Sequence, residues 1–338
     1  MPLMSGQFFV VAPSMPFNLI SKMMNLYPDI EPDVTHQIAV GQTHVLTVEE
    51  CGNPDGIPVI VLHGGPGSHC KPKHRSFFNP SAYRIILFDQ RGAGRSTPMG
   101  SVNDNTTWDL LADLETIREQ FSINKWVIFG GSWGATLGLL YAQQYPDNVL
   151  GLILRSTFLA RKDDIHWGYG NKGVNRFFPK QWQAFTQILP KDGHWEHPLA
   201  IYYDHLISQD STKAHAAALA WAAWGGCVVS YGQFPEPTES SQTLLNEARI
   251  ECHYMFNHCF IEENQLLRDI EKVADIPAIL VHGQQDLVCP LESAYLLEQN
   301  WPAAQLKVIP TGGHLAHDPE MISALIEATD DMVKLLAL

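Results

Sequence analysis

The sequence is poor in positive charge. Its 338 residues include 22 Lys and Arg against 36 Asp and Glu, which gives a formal net charge of −14 at pH 7. It has neither a basic run nor a helix face rich in Lys and Arg that would neutralise phosphates. We therefore expect neither nucleic acid nor an anionic membrane surface as a partner.

Metal-binding patterns are also absent. No two of the six cysteines have the C-x-x-C spacing of zinc and redox sites, no H-E-x-x-H occurs, and the histidine pairs in "GGHLAH" and "HYMFNH" have no partner at ligand spacing. We expect no metal and no cofactor. Scattered cysteines of this kind fit reduced thiols in a cytoplasm; they are Cys51, Cys70, Cys227, Cys252, Cys259 and Cys289.

Long apolar runs are missing as well. No uninterrupted stretch reaches the roughly 18 residues that a membrane-spanning helix needs. Residues 1–24 lack an early positive charge and are interrupted by Pro13 and Pro16, which argues against a secretory signal, and we interpret them as an N-terminal extension. With 45% hydrophobic residues and nine Trp, the chain can bury a sizeable core.

What is present is an alternation of short apolar runs and helical patterns. "IPVIVLHGGPG" (57–67) and "YRIILFDQRGAG" (83–94) end in glycine-rich loops, as buried parallel strands do. A helix is predicted over 106–121, with Thr106 or Thr107 as its N-cap. Further strands are predicted at 34–50 (two, with a turn at Gly41), 125–131, 149–156, 276–286 and 304–310. Further helices are predicted at 135–145, at 291–300 and after "GGHLAHDPE" (312–320). This order predicts an α/β fold, a mostly parallel sheet with helices on both faces.

One segment interrupts the alternation. From 160 to 272 the chain is rich in aromatic residues, His and Ala-rich helical stretches, and the strand pattern resumes afterwards. We therefore predict a helical cap at 160–272, inserted into a core made of residues 25–159 and 273–338.

The stretch "VIFGGSWGATLG" (127–138) contains the pattern G-x-S-x-G between a strand and a helix. In that context the pattern predicts a nucleophilic serine, Ser132, on a strained turn that small flanking residues permit. A serine hydroxyl needs a base, and the base needs a carboxylate. Two late strand ends supply them in the expected order, Asp286 and then His314. His282, inside a strand, and His317, assigned to the closing helix, are poorer candidates.

The developing oxyanion needs N–H donors. The glycine loop "HGGPG" (63–67) can supply one, and the residue after the nucleophile, Trp133, can supply the other.

Together these motifs resemble the proline iminopeptidases, α/β-hydrolases that release N-terminal proline from peptides. The resemblance begins near residue 26, runs to the C-terminus and rests on "HGGPG", "FDQRGAGRS", "NTTWDLLADLE", "GGSWGATLGLLYAQ", "HGQQDLVCP" and "GGH". It implies a triad of Ser132, Asp286 and His314 and an oxyanion pair of Gly65 and Trp133. It also implies that Phe158 and Tyr169 line the pocket for the proline ring.

The sequence departs from the family at the group that binds the substrate ammonium. Family members usually carry one glutamate after a W-x-x-W in the cap and another in an A-R-I-E-x-H-Y stretch. Here Gly225 follows "AWAAW", whereas "ARIECHY" keeps Glu251. Glu236 is a possible substitute for the first glutamate, and Glu251 could also be a solvated helix residue.

We predict a serine aminopeptidase of the proline iminopeptidase type that acts on small peptides with a free N-terminus in the cytoplasm. An esterase, an amidase or a broader aminopeptidase of the same fold is the alternative, because of Gly225. A binding protein without chemistry is a second alternative. The sequence does not determine the oligomeric state.

Overall fold

A computed structural model describes residues 25–190, 198–233, 237–238 and 240–337. The predicted extension (1–24) and Glu236 lie outside these ranges. The strands are β1 (Val34–Val40), β2 (His44–Gly52), β3 (Ile57–Leu62), β4 (Tyr83–Phe88), β5 (Trp126–Gly131), β6 (Val149–Arg155), β7 (Ala278–Gly283) and β8 (Ala304–Ile309). They form one sheet in the order β1-β2-β4-β3-β5-β6-β7-β8. Among the strand pairs of the described ranges, only β1–β2 and β2–β4 are antiparallel, so the predicted α/β fold is confirmed.

The α-helices follow the predicted order. They are α1 (Thr107–Gln120), α2 (Trp133–Gln144), α3 (Lys162–Tyr169), α4 (Pro179–Phe185), α5 (Leu199–Leu206), α6 (Ser211–Ser230), α7 (Gln242–Phe256), α8 (Gln265–Arg268), α9 (Glu292–Asn300) and α10 (Pro319–Leu336). The helices α3 to α8 lie between β6 and β7. No helix within the described ranges combines the length and the apolar character needed to cross a membrane.

Two helix boundaries differ from the sequence prediction. The helix after Ser132 begins at Trp133 rather than at residue 135, because the carbonyl of Ser132 already accepts hydrogen bonds from Ala135 and Thr136. His317 does not lie in the closing helix, because α10 begins only at Pro319, after the N-cap residue Asp318. Thr106, one of the two candidates for the N-cap of α1, caps that helix by accepting a hydrogen bond from the Asp109 N–H.

The sheet is buried on both faces because its central strands are apolar throughout. In β3, Val59 and Val61 face the cluster that contains α10, whereas Ile60 and Leu62 face the cluster that contains α1 and α2. All four side chains are nearly inaccessible to solvent. Side chains alternate between the two faces of a strand, so an unbroken apolar run is what a sheet covered on both sides requires.

The carboxyl ends of β3, β5, β7 and β8 lie at one edge of the sheet, since these strands are parallel. The loop with Gly65 follows β3, and Ser132 follows β5 directly. Asp286 and His314 follow β7 and β8. Ligands of open α/β sheets bind outside this edge, so the fold brings the predicted catalytic residues to the expected place.

Helix α2 packs so closely on the sheet that only glycine fits at one of its positions. A Cβ atom at Gly134 would lie 2.0 Å from the carbonyl oxygen of Leu62, which is backbone and cannot rotate away. At Gly225, in the middle of α6, a Cβ atom would meet no heavy atom within 4 Å. Both glycines are helical, Gly134 in the first turn of α2 and Gly225 in the interior of α6, and the space around them is opposite in kind.

This pair makes a matched test of packing. We expect Gly134→Ala to lower the free energy of unfolding by about 3 kcal/mol, since overpacking against backbone forces the helix away from the sheet. We expect Gly225→Ala to raise it by up to about 1 kcal/mol, because alanine is the better helix former. Urea denaturation of the two variants checks both signs. A neutral Gly134→Ala would contradict the close approach of α2 to β3.

Candidate active site

Ser132 occupies the strained turn between β5 and α2. Its φ of 56° and ψ of −123° lie outside the regions that side chains usually adopt. A Cβ atom at Gly130 would lie 2.3 Å from the carbonyl oxygen of Gly134, and one at Gly131 would lie 2.5 Å from the guanidinium of Arg155. Backbone atoms thus confine Gly130, like Gly134, to glycine, which explains the two glycines of G-x-S-x-G physically, whereas at Gly131 the obstacle is the end of a flexible side chain.

Asp286 and His314 form a buried hydrogen-bonded pair. Nδ1 of His314 lies 3.0 and 2.9 Å from the two carboxylate oxygens of Asp286. The backbone N–H groups of Val288 and Cys289 each donate to Oδ1 of Asp286 at 2.9 Å. Burial alone would raise the pKa of Asp286, but the attraction of His314 and its hydrogen bond outweigh burial and lower the pKa to about 2. The carboxylate thus stays ionised and keeps the proton of His314 on Nδ1, which leaves Nε2 free to act as a base.

Ser132 and His314 line the same cavity. Among the described residues the two side chains form no hydrogen bond with each other, and the buried thiol of Cys289 lies beside the Ser132 hydroxyl in the wall of another cavity. Bonds between nucleophile and base are often loose until substrate binds. Sequence reasoning did not single out Cys289. Its position three residues after Asp286 was the available signal.

The glycine loop after β3 lies directly against the nucleophile. A Cβ atom at Gly64 would lie 3.3 Å from Cβ of Ser132, so a side chain there would occupy the space of a substrate. Gly65 has a φ of +112°, and a Cβ atom there would lie 2.7 Å from the backbone nitrogen of Ser68. Trp133 is the first residue of α2, and an N–H at this helix position has no carbonyl one turn earlier to bond.

Two buried residues that sequence reasoning missed, His63 and Gln90, hold this loop against α2. The Gln90 amide donates to the carbonyl of His63 at 2.9 Å and accepts a hydrogen bond from the Trp133 indole at 2.9 Å. Burial lowers the pKa of His63, so its ring is neutral, accepting from the Gln90 N–H (3.0 Å) and donating to the Gly64 carbonyl (2.9 Å). The signal was their position beside the glycine motifs.

A small cavity of about 90 Å³ opens on one side of Ser132, and we call it the acidic cavity. It contains the side chains that the family resemblance implied for substrate binding, Phe158, Tyr169 and Glu251. Its further lining residues are Gly65, Ser132, Asp164, Ile165, Gly168, Trp224, Gly225, Val228, Val229, Met255, Leu287, Val288 and Cys289. Such a volume suits one residue of a peptide, since pockets for drug-sized ligands measure about 300 to 1,000 Å³.

Glu251 is not a solvated helix residue. Its carboxylate accepts hydrogen bonds from the Trp221 indole at 2.8 Å and from the Tyr169 hydroxyl at 3.1 Å. Burial raises its pKa to about 7 in spite of these bonds. Trp221 stacks on Tyr169 with ring centroids 4.8 Å apart. Trp221 had no role in the sequence reasoning, although its spacing of three from Trp224 put both on one helix face.

Glu251 is the carboxylate in this cavity that has no cationic partner. The other one, Asp164, accepts three hydrogen bonds from Arg161, two of them from the guanidinium at 3.0 and 2.8 Å. The lining of the acidic cavity includes no Lys or Arg within the described ranges. Gly225 lies in the same wall and leaves open space where a side chain would project. In the part of the chain that the structure describes, no three His, Cys, Asp or Glu side chains converge as metal ligands would.

Comparison with known proteins is consistent with this geometry. The family described as alpha/beta hydrolase fold matches residues 57–320. A proline iminopeptidase of Xylella fastidiosa (strain 9a5c) is 44% identical over 315 residues, which cover 92% of this chain and 100% of that protein. A proline iminopeptidase of Arabidopsis thaliana is 40% identical over 315 residues, which cover 92% of this chain and 83% of that protein.

Solved structures show the same fold at low identity. A putative aryl esterase from Burkholderia cenocepacia superposes with a TM-score of 0.61 at 21% identity, covering 90% of this chain and 99% of that one. A proline iminopeptidase-related protein from Thermus thermophilus gives a TM-score of 0.57 at 20% identity, covering 90% of this chain and 98% of that one. At these identities the superpositions report the fold alone.

The raised pKa of Glu251 predicts a dependence of stability on pH. Between the unfolded pKa of 4.5 and the folded pKa of about 7, the folded chain binds more protons than the unfolded chain, so stability falls as pH rises through this window. Glu251→Gln removes this loss. Relative to the parent chain, the variant should gain about 2 to 3 kcal/mol of unfolding free energy between pH 4.5 and 8.

Urea denaturation at several pH values measures that gain. Glu247→Gln is the control, because it removes a half-exposed carboxylate one turn earlier on α7 and should show a much smaller change over the same range. Parallel pH profiles for the parent chain and Glu251→Gln would contradict the burial of an unpaired carboxylate.

Proposed function

The chain belongs to the proline iminopeptidases of the α/β-hydrolase fold family, and we propose that it releases N-terminal proline from peptides with Ser132 as its nucleophile. The observation that carries the assignment of residues is the convergence of three groups on one site. Ser132, His314 and Glu251 line two cavities that meet at the serine, and Asp286 reaches the site through its hydrogen bond to His314. The four residues come from four separate segments of the chain.

The acidic cavity receives the N-terminal residue. Glu251 binds the α-ammonium, and Phe158 and Tyr169 contact the ring. A free carboxylate in a buried site offers an ammonium about 1.5 to 3 kcal/mol per charged hydrogen bond. The hydrogen bonds from Tyr169 and Trp221 fix the orientation of this carboxylate before the substrate binds.

Ser132 attacks the carbonyl carbon of that residue. Nε2 of His314 takes the hydroxyl proton, and the ionised Asp286 stabilises the imidazolium that forms. For this step the hydroxyl turns from Cys289 towards His314. The strained backbone of Ser132 keeps the oxygen at the surface of the turn, where a carbonyl carbon can approach it.

The negative charge that develops on the carbonyl oxygen lies between two backbone donors, the N–H groups of Gly65 and Trp133. Each such donor is worth about 3 to 4 kcal/mol in comparable enzymes. The network of His63 and Gln90 holds both donors in a fixed relation, because Gln90 bonds the loop of the first and the side chain of the second.

The leaving amine then receives the proton from His314, and the acyl-enzyme remains on Ser132. Water, activated by His314, hydrolyses the ester and releases proline. The same pair of residues thus serves both halves of the reaction, and no cofactor takes part in these steps.

We also propose that residues 160–272 act as a cap on the core formed by 25–159 and 273–338. The triad and the oxyanion donors belong to the core, whereas Tyr169, Gly225 and Glu251 belong to α3, α6 and α7. Substrate selection is thereby separated from chemistry. A cytoplasmic location is supported by the six cysteines, since all are buried and no disulfide joins any two of them in the described part of the chain.

Gly225 supports a second candidate, a hydrolase of the same fold with broader selectivity. Its open space enlarges the acidic cavity, and one carboxylate compensates the desolvation of an ammonium less than two would. A larger N-terminal residue or a blocked one could then be accepted.

The first test is hydrolysis of matched arylamides with N-terminal proline, alanine and leucine, together with N-acetylprolyl arylamide and an aryl ester. We expect free prolyl arylamide to have the highest kcat/KM, and Ser132→Ala to lower its kcat by about 10⁴-fold or more. Rapid ester cleavage with little arylamide turnover would support the second candidate. Full activity in Ser132→Ala would overturn the mechanism.

A second carboxylate at position 225 should sharpen selectivity. We expect Gly225→Glu to raise the ratio of kcat/KM for free over N-acetylated prolyl arylamide by about tenfold at pH 8, the equivalent of about 1.4 kcal/mol. Gly225→Gln has the same shape without the charge and should leave that ratio nearly unchanged. Equal ratios for the two variants would show that position 225 acts through shape alone.

A further inference from the structure

A second cavity, of about 510 Å³, opens on the other side of Ser132, and we call it the basic cavity. It shares only Gly65 and Ser132 with the acidic cavity. Its described lining includes Arg155, Lys71 and Lys73, and no Asp or Glu. In a chain with a net charge of −14, a cavity lined by two lysines and an arginine and by no carboxylate differs from the average composition.

The position of this cavity makes it the leaving-group side. The proposed function places the N-terminal residue in the acidic cavity, so the rest of the peptide must extend away from it. His314, the proposed proton donor to the leaving amine, lines the basic cavity and not the acidic one. The peptide beyond the scissile bond therefore enters the basic cavity.

Arg155 is the cation nearest to the nucleophile. It ends β6, and its guanidinium packs against Gly131, the residue before Ser132. One of its nitrogens, Nη1, donates to Ser156 Oγ at 2.9 Å and to the carbonyl of His314. Within the described chain no carboxylate lies at ion-pair distance from Arg155, and Asp286 attracts it from further away. Burial lowers its pKa, which means that the cation is only partly compensated where it lies.

The other titratable groups around the basic cavity do not cancel its positive charge. Lys71 and Lys73 are exposed. His69 is also a lining residue, and its Nδ1 lies 3.8 Å from the carboxylate of Glu247, which does not line the cavity. Burial, followed by the nearby cationic groups, lowers the pKa of His74 to about 3, so this ring is a neutral part of the wall. His317, which precedes α10, completes the polar lining.

We infer that the basic cavity binds the free carboxylate of short peptides, so that di- and tripeptides are the preferred substrates of this enzyme. This inference rests on the proposed function. A short peptide is a zwitterion, with its ammonium at one end and its carboxylate at the other. The two cavities carry the complementary charges, Glu251 on one side of Ser132 and Arg155 with the lysines on the other.

The distance from the scissile bond to the cationic side chains determines which peptide length is preferred. An extended chain advances about 3.3 to 3.6 Å per residue. The carboxylate of a dipeptide lies one residue beyond the scissile bond, close to the guanidinium beside Gly131. A tripeptide carries its carboxylate further out, towards the exposed Lys71 and Lys73, where solvent screens the attraction more strongly.

The test compares free acids with amides that differ only in this charge, prolyl-alanine with its amide and prolyl-alanyl-alanine with its amide. At low salt and pH 8 we expect kcat/KM of the dipeptide acid to exceed that of its amide by about tenfold. The advantage should be smaller for the tripeptide and should diminish in 0.5 M salt. Equal values for acid and amide would overturn the inference.

Variants then show which cationic residue causes the preference for the free acid over the amide. The double variant Lys71→Ala, Lys73→Ala should reduce the acid-to-amide ratio of the tripeptide, and Arg155→Met should bring that of the dipeptide close to one, with Arg155→Lys intermediate. Since Arg155 also bonds the His314 carbonyl, its variants are judged by the ratio and not by turnover. Lys125→Ala, an exposed lysine at the opposite end of β5, is the matched control and should keep the parent ratios. Unchanged ratios in the double variant and in Arg155→Met would also overturn the inference.

A binding measurement tests recognition of the carboxylate independently of the proposed function. Calorimetry on Ser132→Ala measures the affinities of the dipeptide acid and amide without turnover, and the acid should bind about tenfold more tightly. Failure of the parent enzyme to cleave prolyl arylamide would contradict the proposed function. The affinity ratio would still decide whether the cavity recognises a carboxylate, and a ratio of one would refute that.

Discussion

Close approach of backbone to backbone at the end of β5 is the constraint on which the rest of the site depends. The positive φ at Ser132 is accommodated because Gly130 and Gly134 leave room for the neighbouring backbone. The same turn starts α2 at Trp133, which turns an N–H towards the site, and brings Gly64 against the serine. One packing arrangement thus positions the nucleophile, the oxyanion donors and the glycine loop together.

The two buried carboxylates of the site, Asp286 and Glu251, differ in pKa because their surroundings differ, and we assign them different roles. Asp286 accepts hydrogen bonds from His314 and two backbone N–H groups, and its pKa falls to about 2. Glu251 has only neutral donors, and burial raises its pKa to about 7. The first carboxylate is satisfied within the fold and orients a base. The second has hydrogen bonds but no cationic partner among the described residues, so burial disfavours its charged form in the empty site and favours binding of a cation.

Local patterns explain why so much was predictable. Apolar runs, glycine loops and the order of Ser132, Asp286 and His314 along the chain are readable without knowing distant neighbours. The network of His63 and Gln90, the contact of Cys289 with Ser132 and the support of Glu251 by Trp221 were not, because each joins side chains that only folding brings together. The start of α2 was missed by two residues, since hydrogen bonds from the Ser132 carbonyl and not sequence periodicity determine it.

Gly225 has a consequence for how such an enzyme can diversify. Most positions that shape a binding site also hold the protein together, so a new specificity usually begins with a loss of stability. A glycine in the middle of a helix, facing open space beside a nucleophile, is free of that conflict. A single codon change there can add bulk, polarity or charge to the pocket while the helix itself becomes easier to form. New substrates are accessible from this sequence without an intermediate that folds poorly.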